Sequence, residues 1–208
     1  MSDKLEPASL AIADLGCMRG GRLLFEGLDL RLTAGDLLLV RGPNGSGKSS
    51  LLRLLAGMAA PSSGSVLWND APIAEDLPAH RARLLMLTLN DGLKGALTAS
   101  ENLRYATRLL SGTGDVGTAL AALDLTELAA RPVRFLSTGQ RRRVALARLA
   151  TVTRPLWLLD EPETGLDQAN RRRLGELIGA HRRRGGIVVL VSHAELELDP
   201  TASLDFEP

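Results

Sequence analysis

The stretch that decides the fold is a glycine-rich segment of eight residues, Gly42-Pro43-Asn44-Gly45-Ser46-Gly47-Lys48-Ser49. It matches the phosphate-binding pattern GxxxxGK[ST] at every position. The apolar run 36–40 before it has the length of a buried strand, and the leucine-rich run 50–55 after it predicts a helix. Because strand, glycine-rich loop and helix are the context in which this pattern binds phosphate, the segment predicts an α/β fold with a site for a nucleoside triphosphate.

The residue types in this loop suit the chemistry of a triphosphate. Glycines let the backbone turn tightly, so that amide groups and the N-terminus of the following helix point at phosphate oxygens. Lys48 supplies a mobile positive charge for the β- and γ-phosphates, and the hydroxyl of Ser49 suits a magnesium ligand. We therefore predict that the whole loop, together with Ser50, binds the nucleotide.

Length and composition narrow the class of protein. A chain of 208 residues can bury one core, alone or with a small satellite subdomain. Its 25 basic and 24 acidic residues leave a formal net charge of +1, which favours neither nucleic acid nor a membrane surface. Cys17 is the only cysteine, which excludes an intrachain disulfide and favours a reducing compartment. With no secretory signal and no apolar run near the roughly 18 residues of a membrane span, we expect a soluble protein.

Predicted strands and helices alternate along the rest of the chain. The strands are expected at residues 9–12, 28–32, 36–40, 65–68, 83–88, 156–160 and 187–191, with at most one more at 202–206. The turn between the first two is expected at 17–22. Residues 97–149 carry alanine and leucine at helical spacing and predict three or four helices, and residues 168–184 predict a basic helix. This alternation places the core in the α/β class.

Two adjacent carboxylates, Asp160 and Glu161, follow the apolar run 156–159. The carboxyl ends of parallel strands are where ligands gather in α/β proteins. We predict that Asp160 holds magnesium through water and that Glu161 polarises the attacking water. An acidic pair after a strand also serves as a helix cap or a solvated strand end, but the phosphate loop in the same chain favours the catalytic interpretation.

A third signal is the segment Leu136-Ser137-Thr138-Gly139-Gln140. A serine hydroxyl, a glycine amide and a helix N-terminus together form an anion site, and Ser137 also suits the N-cap of that helix. With the two motifs above, the order and spacing resemble the nucleotide-binding domains of ATP-binding cassette (ABC) transporters, whose signature is LSGGQ. Thr138 is the one departure from this signature. Its side chain adds bulk where the signature must approach the nucleotide closely, so we expect it to weaken closure.

The resemblance implies a fold and a division of the chain. The fold is a P-loop NTPase of the ABC type, with a small antiparallel β-subdomain and an α-helical subdomain. One ABC ATPase domain is expected over residues 1–208. Its RecA-like α/β core would comprise about 1–90 and 150–208, and its helical signature subdomain about 91–150.

The resemblance also implies the chemistry and the partners. ATP and Mg²⁺ are the expected cofactors, and ATP hydrolysis is the expected reaction. Two chains would sandwich two ATP molecules, with the signature of one chain closing on the γ-phosphate held by the other. The signature residues in that role are Ser137, Thr138, Gly139 and Gln140. The further partners are integral membrane subunits, which would hold the protein at the cytoplasmic face of the bacterial inner membrane.

Two further positions match the family residue by residue. His193 follows the predicted strand 187–191 and resembles the switch histidine that contacts the γ-phosphate, which adds it to Lys48 and Glu161 as a predicted catalytic residue. Asp167 matches the aspartate of the loop that crosses to the other subunit.

At two other positions the chain departs from the family. Asn90 stands where a glutamine normally contacts the metal shell, and its side chain is one methylene shorter. We still count it with Ser49 and Asp160 as a predicted metal residue. No aromatic residue precedes the phosphate loop at the place where one usually stacks on adenine, and Arg19 or Met18 occupies that position. A guanidinium stacks on a purine through a cation–π contact, so Arg19 is the predicted adenine contact.

Four segments make the resemblance narrower. Residues 17–25, 64–68, 92–99 and 140–149 are together similar to the ATPase subunits of bacterial haem exporters that serve cytochrome c maturation. An exporter of a lipid, a metal or a peptide is the main alternative, because nothing in an ATPase subunit touches the cargo. Cassette proteins of DNA repair carry long coiled coils between the nucleotide motifs, and translation factors normally carry two cassettes, so both are less favoured.

Three arginine clusters, at residues 141–143, 171–173 and 182–184, raise the question of nucleic acid. Charge balance near zero and few aromatic residues for base stacking favour solvated helix faces instead. We expect no nucleic-acid partner.

Overall fold

Two sheets organise the computed structural model, which describes residues 4–194 and 196–206. The strands are β1 (Ser9–Arg19), β2 (Arg22–Thr33), β3 (Leu37–Arg41), β4 (Ser63–Trp68), β5 (Ala71–Pro72), β6 (Leu84–Leu87), β7 (Leu156–Asp160), β8 (Ile187–Val191) and β9 (Ala202–Asp205). One sheet is antiparallel, in the order β2-β1-β4-β5, and the other is parallel, in the order β6-β7-β8-β3-β9. The predicted α/β class is confirmed.

The helices lie between and around these strands. They are α1 (Lys48–Leu55), α2 (Leu77–Ala82), α3 (Ala99–Leu109), α4 (Val116–Ala122), α5 (Thr138–Leu146), α6 (Arg148–Thr151) and α7 (Gln168–Arg183). The prediction of three or four helices over residues 97–149 is confirmed by α3 to α6. Over residues 4–194 and 196–206, none of the helices is both long enough and apolar enough to cross a membrane.

The parallel sheet is covered on both faces, and β7 shows how. Leu156 and Leu158 pack in the core shared with α1 and the antiparallel sheet, whereas Trp157 and Leu159 pack in the core shared with the helices α3 to α7. Side chains of a strand point alternately to the two faces, so a strand with both faces covered requires apolar residues throughout. This is why the run 156–159 has no polar alternation.

The first hairpin differs from its prediction. A turn lies inside the expected range 17–22, but those bounds are too wide, because β1 continues to Arg19 and the turn is confined to Gly20 and Gly21. Cys17 pairs with Phe25 of β2 and is only 2% exposed. Because both side chains are buried, β1 and β2 continue well beyond the segments 9–12 and 28–32 that were predicted as strands.

A buried histidine joins the parallel sheet to α7. The ring of His181 stacks on Trp157 with centroids 3.8 Å apart and planes 4° apart. His181 is 4% exposed, and burial, helped by the nearby charge of Arg184, lowers its pKa to about 4. The folded protein therefore favours the neutral imidazole.

We predict that this histidine makes folding stability fall in acid. Its folded pKa of about 4 lies below the ordinary value of 6.5, so protons bind the unfolded chain more tightly. Stability should be complete above pH 6.5 and should decrease as the pH falls to about 4, by on the order of 3 kcal/mol. His181→Phe keeps a ring over Trp157 and removes the titration. Urea denaturation across this range should show that the free energy of unfolding of the variant depends less on pH than that of the wild type. The same pH dependence in both proteins would contradict the prediction.

Candidate nucleotide-binding site

The glycine-rich loop leaves the carboxyl end of β3 in a conformation that requires glycine. Gly42, Gly45 and Gly47 have φ angles of 139°, 84° and 110°, which L-residues rarely adopt. A Cβ at Gly42 would lie 2.8 Å from the carbonyl oxygen of Phe206, and one at Gly47 would lie 3.1 Å from the ring of Phe25. Backbone and side chains therefore pack against the outside of the loop, which holds its curvature.

Lys48 lies within this curve at the start of α1. The residue is 6% exposed, and its Nζ donates to the carbonyl oxygens of Gly42 and Pro43, both at 2.7 Å. Gly47 has no side chain with which to cap α1, so the first amides of the helix are free to bind an anion. Within the described residues, the buried hydroxyl of Ser46 has no hydrogen-bond partner. Ammonium, amides and hydroxyl together suit the phosphates of a nucleotide.

The predicted magnesium residues meet beside the loop. Ser49 Oγ donates to Asp160 Oδ2 at 2.8 Å, and Asp160 is 8% exposed at the end of β7. The parallel sheet places β7, β8 and β3 side by side, so the segments that follow these three strands lie at one edge. A hydroxyl and a carboxylate next to a phosphate loop are oxygen donors of the kind that Mg²⁺ prefers, so the residues present fit this ion.

Glu161 and His193 approach each other at the same edge. His193 Nε2 lies 3.5 Å from Glu161 Oε1, and their side chains are 46% and 25% exposed. Glu161 has a φ of 46°, which is uncommon for a residue other than glycine, and its backbone N–H donates to the carbonyl of Val191 at 2.9 Å. Both predicted catalytic side chains are thus near the surface, where water and a nucleotide have access.

The signature segment begins α5. Ser137 is its N-cap, with the N–H of Gln140 donating to Ser137 Oγ at 3.2 Å and the N–H of Ser137 donating to Gln140 Oε1 at 2.9 Å. A Cβ at Gly139 would lie 2.8 Å from the carbonyl oxygen of Gly165. The start of α5 therefore packs against the loop after Glu161, and Thr138 is exposed. The structural role of Ser137 as a helix cap is confirmed, and its contact with a second subunit stays a prediction.

Asp167 has a cap role of its own. Its carboxylate accepts hydrogen bonds from the N–H and the side-chain amide of Asn170, both at 2.8 Å, at the start of α7. The bond from the Asn170 backbone is the main cause of a lowered pKa for Asp167. The predicted crossing residue is thus oriented by the helix that it caps.

Asn90 and Arg19, two positions that depart from the family, are both exposed. Asn90 is exposed, and its Oδ1 accepts a hydrogen bond from the N–H of Gly92 at 3.2 Å. Arg19 is exposed at the end of β1, opposite Arg22. Phe25, on the next strand of the same hairpin, packs against the phosphate loop, so the hairpin adjoins the site. The roles of Asn90 and Arg19 stay predictions.

Two of the three arginine clusters were misjudged from the sequence. Solvated faces were expected for all three clusters, but Arg142 is only 6% exposed, and it donates to backbone carbonyls, including that of Glu161 at 2.8 Å. Arg182 likewise donates to the carbonyl oxygen of Gly35 at 2.9 Å. The burial of Arg142 could have been predicted, because Arg142 precedes the buried Leu146 by four residues and therefore lies on the same face of the helix.

The sequence also gave no sign of a contact between Glu163 and Ser192. Ser192 Oγ donates to Glu163 Oε1 at 2.6 Å, and the two residues are 2% and 4% exposed. The bond ties the residue just before His193 to the segment just after Glu161. A serine 29 positions from its acceptor leaves no pattern in the sequence.

Comparison with known proteins identifies the family. The family model described as "ABC transporter" matches residues 25–164, which is more than half of the chain and includes the phosphate loop, the signature and the acidic pair. The chain belongs to the ABC transporter family. This ABC protein therefore has the ATP-binding and ATP-hydrolysing domain that defines the family, as the resemblance implied.

Curated relatives extend this match along the chain. A protein of Paramagnetospirillum magneticum named "Cytochrome c biogenesis ATP-binding export protein CcmA" is 42% identical, over 98% of this chain and 96% of its own. Proteins of the same name from Cupriavidus pinatubonensis and Pseudomonas putida are 49% and 46% identical, over 86% and 92% of this chain. A solved structure titled a putative ABC transporter ATP-binding protein, from Pyrococcus furiosus, has a TM-score of 0.82 at 22% identity and covers 95% of this chain and 97% of its own. At that identity it supports the fold alone.

The contact between Ser49 and Asp160 leads to a prediction about magnesium. The Ser49→Ala variant lacks one oxygen ligand for Mg²⁺. Adding Mg²⁺ should therefore increase its affinity for ATP by a factor ~10-fold smaller than in the wild type, the size expected for one charge-assisted bond. Calorimetric titration with ATP, with Mg²⁺ and with a chelator, measures both affinities. With the chelator present, the variant and the wild type should bind ATP with the same affinity. An undiminished effect of Mg²⁺ in the variant would contradict the assignment of Ser49.

Proposed function

We propose that this chain is the ATP-binding and ATP-hydrolysing subunit of the haem exporter of cytochrome c maturation. In that complex it would work with integral membrane subunits resembling CcmB and CcmC, at the cytoplasmic face of the bacterial inner membrane. The observation that carries the proposal is the 42–49% identity to CcmA proteins over most of both chains. A site with the phosphate loop, the Ser49–Asp160 pair and Glu161 beside His193 supports it.

In the proposed mechanism each chain holds one ATP molecule. The loop 42–49 and Ser50 bind the phosphates, with Lys48 as the charged donor to the β- and γ-phosphates, and Arg19 stacks on adenine. Ser49 and Asp160 would hold Mg²⁺, with Asn90 near its water shell. The ion, when bound, offsets negative charge on the phosphates.

Hydrolysis then requires an oriented water molecule and stabilisation of charge. Glu161 accepts a hydrogen bond from the water and directs it in line at the γ-phosphate. His193 donates to the phosphoryl oxygens as their charge grows, and so do Ser137 and Gly139 of the partner subunit. Asp167 contributes to the interface between the two chains. When the phosphate leaves, the dimer opens, and the segment around Asn90 passes the motion to a membrane subunit.

We also propose that the chain is a single ABC ATPase domain. The helices α3 to α6 would form its signature subdomain, and the remainder would form the α/β core with the antiparallel sheet at its side. The packing of α3 to α6 in the core on one face of the parallel sheet supports this division.

The decisive experiment is complementation. A bacterium that lacks its own CcmA should regain c-type cytochromes, measured by haem staining, when it expresses this chain, and Lys48→Ala should not restore them. Purified with the membrane subunits, the wild-type chain should hydrolyse ATP. Hydrolysis without any recovery of c-type cytochromes would overturn the haem-exporter assignment and favour an exporter with another cargo.

A further inference from the structure

Arg142 is a buried charged group next to the catalytic edge, 6% exposed, and the mechanism leaves it unused. It lies in α5, five residues after Ser137, and its side chain reaches the carboxyl ends of β6 and β7. Its Nε donates to the carbonyl oxygen of Pro162 at 3.1 Å. One terminal nitrogen donates to the carbonyl of Glu161 at 2.8 Å and to that of Asp160 at 3.3 Å, and the other donates to the carbonyl of Thr88. A single guanidinium thus bonds three consecutive residues of the loop that carries Glu161.

The loop that Arg142 holds is strained at the residue that matters most. Glu161 has a φ of 46°, a left-handed conformation that is costly for a residue with a side chain. Its N–H donates to the carbonyl of Val191, and its own carbonyl accepts from Arg142 at 2.8 Å and from the N–H of Thr164 at 3.2 Å. Such a conformation persists only when its surroundings impose it, and these bonds hold the peptide groups on either side of Glu161, with Arg142 the side chain among the three partners.

The electrostatic surroundings keep this arginine charged in its buried place. Burial lowers the pKa of Arg142, and the negative charge of Glu163 is the largest influence that opposes the shift. Glu163 is itself 4% exposed and is hydrogen bonded to Ser192. A guanidinium remains protonated under these conditions, and its five donors in a fixed plane suit several carbonyls at once.

We propose that Arg142 is a positioning residue for ATP hydrolysis: by binding the carbonyls of Asp160, Glu161 and Pro162 it fixes the direction in which the Glu161 carboxylate points. The same side chain binds Thr88, two residues before Asn90. Arg142 therefore joins the signature helix, the catalytic loop and the segment that leads to Asn90 within one chain. Loss of its hydrogen bonds should displace the Glu161 carboxylate without changing the phosphate loop that binds ATP.

The test compares variants of the full chain, purified with its membrane subunits. Arg142→Met has a similar length and no donors, and we expect its kcat for ATP hydrolysis to fall ~10- to 100-fold, since small displacements of a catalytic group have effects of this size. KM and the Kd for ATP should stay within about three-fold of the wild type. Arg142→Lys keeps the attraction to Glu163, but its three donors share one nitrogen and cannot reach the four carbonyls that the planar guanidinium binds, so it should fold and still lose kcat.

Arg143→Met is the matched control. Arg143 is the next residue on α5, its side chain is 13% exposed, and it also donates to backbone carbonyls, those of Leu123 at 2.9 Å and Asp124 at 2.8 Å. It has none of the contacts with the catalytic loop described for Arg142. We expect it to lower the thermal unfolding midpoint but to leave kcat within about two-fold of the wild type.

A double-mutant cycle with Glu161→Gln separates positioning from general stability. Because the positioning role rests on the proposed function of Glu161, Arg142→Met should reduce the residual rate of Glu161→Gln by less than about two-fold. An equal loss in both backgrounds, a kcat near wild type in Arg142→Lys, or an equal loss in Arg143→Met would each overturn the role of Arg142. If Glu161→Gln alone leaves turnover unchanged, the proposed mechanism fails first, and the two failures are thereby distinguished.

Discussion

Replacement of Glu161 by glutamine should slow ATP hydrolysis by ~10²- to 10⁴-fold, the range that a positioned general base contributes. Glutamine preserves the size of the side chain and removes the carboxylate that accepts the proton of the attacking water. The phosphate loop is unaffected, so the Kd for ATP should stay within about two-fold of the wild type. Single-turnover hydrolysis and equilibrium ATP binding, measured on the same preparation, check both parts.

The same variant should accumulate as a closed dimer in ATP. Hydrolysis is the step that opens the proposed dimer, so size-exclusion chromatography with Mg²⁺ and ATP should show the dimer for Glu161→Gln and mostly monomer for the wild type. Glu176→Gln, an exposed carboxylate on α7, is the control and should hydrolyse ATP normally. Turnover of Glu161→Gln at the wild-type rate would remove Glu161 from its assigned role.

Lys48→Ala should instead weaken the binding of ATP itself. Nζ of Lys48 now donates to two carbonyls of the loop, and a phosphate oxygen is a stronger, charged acceptor in the same place. A hydrogen bond to a charged group contributes about 1.5–3 kcal/mol, so the Kd for ATP should rise ~10- to 100-fold or more. Fluorescence titration with a nucleotide analogue measures the loss.

The exposed Lys94 is the control for that variant. Lys94→Ala removes the same charge from a residue whose Nζ lies 5.2 Å from the ring centroid of Tyr105. Its ATP affinity should match the wild type. Undiminished ATP binding by a folded Lys48→Ala protein would contradict the assignment of the phosphate loop, on which the remaining site depends.

The parts of the site that are local in sequence were predictable. The phosphate loop, the strand before it and the helix after it are encoded within about twenty residues, and the acidic pair directly follows an apolar run. Turns that need glycine, buried strands and helix caps depend on neighbouring residues, so a motif reveals them. The capping box of Ser137 and Gln140 belongs to this group.

Short or pairing-dependent elements were harder to predict. α2 has six residues, too few to show a helical period. The available signals were Asp76 at its start, which accepts from the N–H of Ala79, and Pro78 in its first turn. The length of the first hairpin depends on the burial of Cys17 against Phe25, which local alternation does not reveal. Asn90 and Arg19 were placed by resemblance, and their contacts with a nucleotide stay predictions.

The sequence by itself determined which residue types follow each buried strand, because strands, glycine loops and helix caps are decided by neighbouring residues. Only the tertiary structure decided which of these groups meet. Ser49 contacts Asp160 across 111 positions, and Arg142 reaches carbonyls 18 to 54 positions away. These contacts follow from the strand order β6-β7-β8-β3-β9, which brings three separate loops to one edge. Strand order depends on packing across the whole core, and therefore no single segment encodes it.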